Sequence, residues 1–529
     1  MNVRPSARSS RGMVTSPHVL ATQCGVDVLA GGGNAIEAAI AATACLCVTY
    51  PHFCGLGGDA FLLIGDADGN VRCISGIGQA VADLTGYQGS IPMRGPRSAL
   101  TSAGTVDALA QAHGISQSEW AGSKGWGDLL VPSIRLAQEG FEISASERFW
   151  LDFRQSEAAS LPDVFPAALH RGNTPPAGFV RRQLALARTL ETLATRGPRD
   201  FYEGQLAQTM VAGLREAGSP LTARDLARTF ARIEPALSVP YRGGELLAHQ
   251  PPTQGITTLQ IMGQLEQLDL SRVAQGSADH FHLLVEAVKQ AFIDRNRFVT
   301  DPDFVQVPVD HLLSPAHLRR QAAGIQRLQA MPWPHAYRHG DTVFVGAADA
   351  AGRSVSLLAT VYYDWGSGVM AGDTGVLWHN RGAAFSLDPS HPNALAAGKR
   401  PFHTLNPGMY RKDGRVQWLY GTQGADGQPQ TLAALLTRLI DYGMEPMAAL
   451  AAPRFLLGRT FSDSTESLKL ERDVPNDVVA ELRRRGHAIS LIDAQNPLMG
   501  HPGVIGMAPA NGQLCGAHDP RSDGLAIGL

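Results

Sequence analysis

Gly340-Asp341-Thr342-Val343-Phe344-Val345, followed by Asp349-Ala-Ala-Gly352-Arg-Ser-Val355-Ser356, reads as a strand, a reverse turn and a second strand, with Thr342 at the start of the first. A threonine there is an ordinary β-former. It becomes a chemical group if the Asp341–Thr342 peptide bond is cut. Thr342 would then carry a hydroxyl nucleophile and a free α-amine to act as its base, which is one way threonine is activated.

Composition bounds what surrounds this junction. A chain of 529 residues is long enough for two to four ordinary domains or one large α/β unit with elaborations. Hydrophobic content of 44%, charged content of 18% and a net charge of −3 describe a soluble globular protein. That charge is too small to point to nucleic acid, a membrane surface or an acidic partner. Cys24, Cys45, Cys47, Cys54, Cys73 and Cys515 form no Cys-x-x-Cys pair and mostly lie in or beside apolar runs, which reads as buried free thiols in a reducing compartment. The first eleven residues carry charge with no apolar stretch after them. No apolar run reaches the roughly 20 residues of a membrane helix. The expectation is a cytoplasmic, soluble protein with no membrane association.

Residues 17–66 are the densest apolar block. Pro17 to Ala30 has helical spacing, Gly31-Gly-Gly33 stops it, and Asn34-x-x-Glu37 predicts a capping box opening a second helix over Ala35 to Val48. That helix is small and apolar all round, so it is expected to be buried. Pro51-His-Phe-Cys-Gly-Leu-Gly-Gly-Asp59 is a glycine-rich loop before a strand over Ala60 to Ile64. Residues 105–330 read mainly helical, with breaks at Pro175-Pro176, Pro251-Pro252 and around Pro308, and with a long helix over Ala278 to Val299. Residues 324–341 read as irregular. Beyond Thr342 strand patterns dominate, at 342–348, 353–362, 374–379 and 415–420, with helices near Thr431 to Tyr442 and Pro475 to Arg485. A change of composition thus falls at the junction itself.

Several familiar motifs are absent or misplaced. There is no Gly-x-x-x-x-Gly-Lys-Ser/Thr, Gly-x-Ser-x-Gly or His-Glu-x-x-His. Gly55-x-Gly57-Gly58 precedes a strand, whereas a dinucleotide fingerprint follows one. His280 and His282 would point to opposite sides of one helix, so they make no metal pair, and His282 with Glu286 reads as structural. No metal and no organic cofactor are expected.

Taken in order, several segments resemble the γ-glutamyltranspeptidase family of N-terminal-nucleophile hydrolases. They are Arg11-Gly-Met-Val-Thr-Ser-Pro-His18, Gly32-Gly-Asn-Ala35, Pro51-His52 with Gly55-x-Gly57-Gly58, Gly104-Thr-Val106, Leu136-Ala-Gln-Glu-Gly140, Pro251-Pro252, Glu286-Ala-x-Lys…Asp294-Arg295, the Thr342 block and Asp519-Pro-Arg-Ser-x-Gly524. The resemblance implies an α/β fold, an αββα sandwich formed by two fragments of one precursor that cleaves itself between Asp341 and Thr342. Residues 1–341 would be the large fragment and 342–529 the small one, paired as a heterodimer that itself could dimerise. It implies Thr342 as nucleophile and Thr360 as a second threonine bonded to it. Gly424 and Ala425, in Gly421-Thr-Gln-Gly-Ala-Asp-Gly427, fall at the oxyanion-hole loop, where the family has two glycines. A backbone donor survives this change if φ at Ala425 is negative.

The substrate pocket departs from the family pattern. Tyr362, Arg381 and Ala384 replace the Asn, Gln and Asp that bind a γ-glutamyl ammonium, Gln79 aligns with a carboxylate-binding arginine, and His403 and Thr404 replace two serines. An arginine in an ammonium site reverses its charge preference and suits a carboxylate. Tyr362, Tyr363 and Trp365 would also make the pocket smaller. The segments Gly-Asp-Thr-Val, Asn380-Arg-Gly, Phe402-His-Thr-Leu-Asn-Pro407 and Gly427-Gln-Pro-Gln-Thr431 resemble the oxamate amidohydrolase branch of the family. The reading is a small-molecule amidohydrolase with Tyr362, Arg381, His403 and Thr404 as substrate contacts. Its alternatives are a γ-glutamyltransferase or glutathione hydrolase, a non-catalytic binding protein and an acylase for larger glutaryl amides. Retention of Thr342 and Thr360 argues against the binding protein, and aromatic crowding against the acylase.

Overall fold

The computed structural model describes residues 5–160, 163, 167–333, 341–459, 465–508 and 512–529, with no account of side chains 158–160. Gly340 and the stretch from Pro334 ahead of it therefore lie outside the described residues.

Two seven-stranded antiparallel sheets pack face to face. The first runs Leu525–Gly528, Gly12–Ser16, Asp341–Asp349, Ser354–Tyr362, Asp59–Gly65, Val71–Gly76, Arg232–Pro235. The second runs Ala7–Ser9, Leu514–His518, Gly503–Met507, Arg415–Gly421, Gly408–Lys412, Gly244–Ala248, Leu237–Tyr241. Met13, Leu63, Ala348, Met409, Leu419 and Ile505 fill the layer between them. Each leucine or isoleucine fully buried there contributes roughly 1.5–3 kcal/mol. Helices Val19–Ala30, Ala35–Thr49 and Thr105–Glu119 cover the outer face of the first sheet, and Gly255–Glu266, Gln428–Leu436 and Pro446–Ala451 cover that of the second. The expected αββα sandwich is the observed architecture.

Coverage on both faces explains the strand sequences. Asp59–Gly65, Asp341–Asp349 and Ser354–Tyr362 are buried along their whole length, so they read as near-continuous apolar runs without a polar alternation. Ala35–Thr49 is likewise buried at every residue. Its capping box forms as expected, with Asn34 Oδ1 accepting from the Ile36 and Glu37 N–H groups and Glu37 Oε2 accepting from Asn34 N–H.

Residues 105–330 are mainly helical as expected, with short strands set among the helices. Arg232–Pro235 joins the first sheet, while Leu237–Tyr241 and Gly244–Ala248 form a hairpin at the edge of the second. Their short lengths disappear inside a long helical average. The strand expected over 374–379 shrinks to Leu377–Trp378, because a turn at Gly372–Thr374 and Gly375 at φ 71° precede it. Conversely, the helix expected from Thr431 starts earlier, at Gln428, since Pro429 lacks only an N–H that the first turn does not use. Both sheets take strands from either side of residue 341, so the segments 1–341 and 342–529 are halves of one core.

Candidate active site

Asp341 and Thr342 open a central strand and are 3% and 1% exposed. Asp341 pairs with Tyr362 and Val343 with Ala359, so Thr342 alone stands opposite two residues, Thr360 and Val361. Such a bulge re-aims side chains. Here the Thr360 hydroxyl donates to the Asp341 carbonyl oxygen, while the Tyr362 N–H donates to Thr360 Oγ1 at 2.7 Å. The second bond fixes the first, since a hydroxyl that accepts from the backbone turns its own proton outward. The glycine-rich loop gives this strand room, because a Cβ on Gly58 would stand 2.1 Å from the Thr360 carbonyl oxygen. That close approach is what its glycine serves.

The carboxyl of Asp341 accepts from the Gln423 amide through Oδ1, while Oδ2 has no partner among the described residues. Burial, and then the charge of Asp364, push this carboxyl well above the usual range and favour its neutral form. Thr342 Oγ1 accepts from Gln428 Nε2 at 3.3 Å, and Gln428 Oε1 accepts from Asn406 N–H at 3.2 Å. A backbone donor facing Oε1 leaves the amide only one orientation, with its N–H groups toward Thr342.

Gly424 and Ala425 lie at the foot of the helix Gln428–Leu436, with φ of 124° and 45°. The negative φ under which alanine would replace glycine without strain is therefore not found at Ala425. A left-handed alanine costs about 1–2 kcal/mol, and it persists where surroundings over-determine it. Gln254 Nε2 donates to the Ala425 carbonyl at 2.7 Å and the Thr404 carbonyl at 2.6 Å. Gln254 Oε1 in turn accepts from Arg295 Nη1 at 3.1 Å, and Arg295 pairs with Asp426 at 3.0 Å. Gln254, just after the Pro251-Pro252 turn, and Arg295 thus both serve to hold this loop, while Asp294 accepts from Gln260, His317 and Gln321 instead.

Arg381 begins a short turn, Arg381–Ala384, tied to the junction through its predecessor. Asn380 N–H donates to the Val361 carbonyl, and Asn380 Oδ1 accepts from Tyr363 N–H. The guanidinium carbon lies 3.8 Å from the Tyr362 ring centroid. Arg381 is fully buried, and none of its three guanidinium nitrogens has a hydrogen-bond partner among the described residues. Burial lowers its pKa to about 10, against the pull of Tyr362 and Asp59, so the group remains a cation at neutral pH. A buried cation without a partner is costly, and such groups are ordinarily paired. Tyr362 and Trp365 have φ of 80° and 62°, unusual for bulky residues, in a loop clamped where Arg154 and Arg94 grip Asp364.

The structure gives His403 and Thr404 different surroundings from those expected. Fully buried, His403 directs Nε2 to Asp59 Oδ2 at 3.2 Å and accepts from Leu405 N–H through Nδ1. Burial lowers its pKa to about 3, so the ring is neutral. Asp59 Oδ1 accepts from the Gly78 and Gly104 N–H groups. Burial alone would raise this carboxyl, but the facing His379 and His403 hold it well below the usual carboxylate range. Asp59 and His403 therefore form part of the wall behind Arg381, while Thr404 is fixed through its carbonyl to Gln254. Gln79 lies elsewhere, its amide donating to the Arg228 carbonyl.

The donor atoms of His282, Glu286 and His487 lie within 4.8 Å of one another, a spacing that would suit a metal ion. Each already has a partner. His282 Nε2 donates to the Gln326 carbonyl and Nδ1 faces His487 Nε2 at 2.8 Å, while Glu286 accepts from Lys289 and from Met331 N–H. The structural hydrogen bond expected between His282 and Glu286 is not formed, since each residue is paired with other groups.

Sequence reasoning missed Gln423, Gln428, Asp59 and His379. Gln428 had a signal, since Gly427-Gln-Pro-Gln-Thr431 was already distinctive and Pro429 marks the helix start that aims it. Asp59 and His379 gave none, being ordinary residues at the ends of short runs.

Comparison with known proteins agrees with this geometry. The family model described as gamma-glutamyltranspeptidase matches residues 21–529. The oxamate amidohydrolase proenzyme of Klebsiella pneumoniae is 42% identical over 525 residues, covering 98% of this chain and 99% of that one. The glutathione hydrolase-like YwrD proenzyme of Bacillus subtilis is 38% identical over 529 residues, covering 99% of each. Among solved structures, the cephalosporin acylase from Bacillus halodurans superposes with a TM-score of 0.90 at 31% identity, covering 99% of this chain and 97% of that one. With its sandwich, its buried Asp341–Thr342 junction and these matches along nearly its whole length, the chain belongs to the gamma-glutamyltranspeptidase family.

Proposed function

We propose that this chain is a self-cleaving amidohydrolase that converts oxamate, a small amide bearing a carboxylate, to oxalate and ammonia through an acyl-enzyme on Thr342. The observation that carries the reading is Arg381, a fully buried cation with no hydrogen-bond partner among the described residues. A substrate carboxylate would supply the missing charge and accept two parallel hydrogen bonds. The name of the Klebsiella pneumoniae relative supports the same substrate.

Self-cleavage comes first. Thr342 Oγ attacks the Asp341 carbonyl carbon, and the Thr360 hydroxyl, already donating to that carbonyl oxygen, stabilises the charge that develops there. The Thr342 nitrogen takes a proton and leaves, and water hydrolyses the resulting ester. Fragments 1–341 and 342–529 stay paired because both sheets contain strands of each. The freed α-amine, with a reference pKa of about 7.7–8.0, then takes the hydroxyl proton when Thr342 attacks oxamate and passes it to the departing ammonia. Water releases oxalate. The Gly424–Ala425 loop would supply backbone N–H donors to the tetrahedral oxyanion, because Ala425 takes up, under strain, the left-handed φ of 45° that a glycine adopts freely, each donor being worth about 3–4 kcal/mol in the barrier. Tyr362 and Arg381 hold the substrate carboxylate, with His403 and Thr404 behind them.

A γ-glutamyl hydrolase or transferase is the second reading, favoured by the name of the Bacillus subtilis relative. It would bring an α-ammonium against Arg381. Ammonia release from oxamate, measured beside p-nitroaniline release from a γ-glutamyl anilide, separates the two, and turnover of the anilide alone would overturn the oxamate reading. Intact-mass analysis is expected to show two fragments for wild type and one uncut chain for Thr342→Ala. An active wild type that stays uncut would remove the mechanism.

A further inference from the structure

We propose that Gln428 is a catalytic residue whose amide stabilises Thr342 Oγ as a leaving group, so that it acts in breakdown of the acyl-enzyme more than in its formation. The inference rests on Thr342 being the nucleophile. Gln428 is fully buried, and its amide has one allowed orientation, with Oε1 accepting from Asn406 N–H at 3.2 Å and Nε2 donating to Thr342 Oγ1 at 3.3 Å. The helix that begins at Gln428 leaves directly from the Gly424–Gly427 turn, so the donor and that turn are held by one rigid element. Asn406 is itself fixed, its Nδ2 donating to Thr258 Oγ1 at 2.8 Å.

The chemistry makes this contact unequal between the two half-reactions. During acylation the Oγ–H proton leaves as the Oγ–C bond forms, and electron density moves from Oγ into the acyl group. A donor to Oγ gains little there. During deacylation the water oxygen bonds to the acyl carbon, the C–Oγ bond breaks and its electron pair returns to Oγ. The proton lost by water passes through the α-amine to Oγ. Negative charge therefore grows on the atom that Gln428 already touches, and a preorganised donor at such a position lowers the barrier.

Gln428→Glu keeps the shape and the Asn406 contact but turns a donor into an acceptor, and Gln428→Met keeps the length with no donor. Both are compared with wild type after self-cleavage has run to completion, and with Thr342→Ala as the uncut control, using a rapid-quench burst of ammonia from oxamate and, for the cleaved proteins, the mass of fragment 342–529. Thermal unfolding shows which variants are folded, and either one suffices. The expected result is a retained burst, a steady-state rate lower by about 10²–10³-fold, and an acyl adduct accumulating on the small fragment. A rate unchanged from wild type overturns the proposal, as does a fall in burst and steady state together without adduct, provided Thr342→Ala is inactive. If Thr342→Ala itself turns over oxamate, the nucleophile assignment falls and this proposal with it.

Discussion

Arg381→Met should make the protein more stable and less active, and the opposite signs are the point of the experiment. Burial lowers the Arg381 pKa from the usual arginine range to about 10. For a base, a depressed folded-state pKa means that the charged form is disfavoured in the fold. At every pH below about 10 the cation therefore destabilises the folded protein, by about 3 kcal/mol, and the penalty fades only as pH rises above that value toward the usual arginine range. Stacking on Tyr362 returns about 1–2 kcal/mol, which methionine forfeits. The net gain on substitution is thus about 1–2 kcal/mol, or a rise of about 1–3 °C in melting temperature for a chain of this size. Binding of the substrate carboxylate reverses the balance, because the pair formed in the buried site costs about 3–5 kcal/mol to break from one side. We expect kcat/KM for oxamate to fall by about 10²–10³-fold. Oxamate should also raise the melting temperature of wild type and leave that of Arg381→Met unmoved. The assays are ammonia release and thermal unfolding with and without oxamate. A variant that keeps kcat/KM within about threefold, or melts several degrees below wild type, would refute the assignment of Arg381 as an anion site.

Two further outcomes follow from the same geometry. Ala425→Gly should stabilise the protein by roughly 0.5–1 kcal/mol, since it removes the strain of φ 45° at the cost of some chain entropy, and comparison of melting temperatures checks this. The protein should lose stability steadily as pH falls below about 6.5. Burial holds His18 at a pKa of about 4 and His249, His280, His403 and His518 at about 3. Between the unfolded and folded values the unfolded chain binds protons that the folded one refuses, and each such histidine costs about 1.4 kcal/mol per pH unit. Melting temperatures measured from pH 7.5 to 4.5 should decline throughout, and a flat profile would contradict the neutral, buried state of these rings.

The sequence by itself determined the elements whose pattern is local. The capping box at Asn34 and Glu37, the all-buried helix after it, the paired strands around Thr342 and the order of family segments could all be read there. It also singled out Arg381 as a charge reversal, because that inference needs only the residue type at an aligned position. Three things required the folded chain. The left-handed φ at Ala425 is held by Gln254 and Arg295, residues distant in sequence, so the sequence could state the condition on φ and not its sign. The inward turn of His403 onto Asp59 depends on a contact 344 positions apart. The aim of Thr360 at the Asp341 carbonyl depends on a bulge, a one-residue mismatch between two strands that neither strand shows alone. Residue types determine which chemistry is available, through acidity, charge and nucleophilicity. Which groups meet, and in which protonation state, is a matter of burial and direction, and those are properties of the packed molecule.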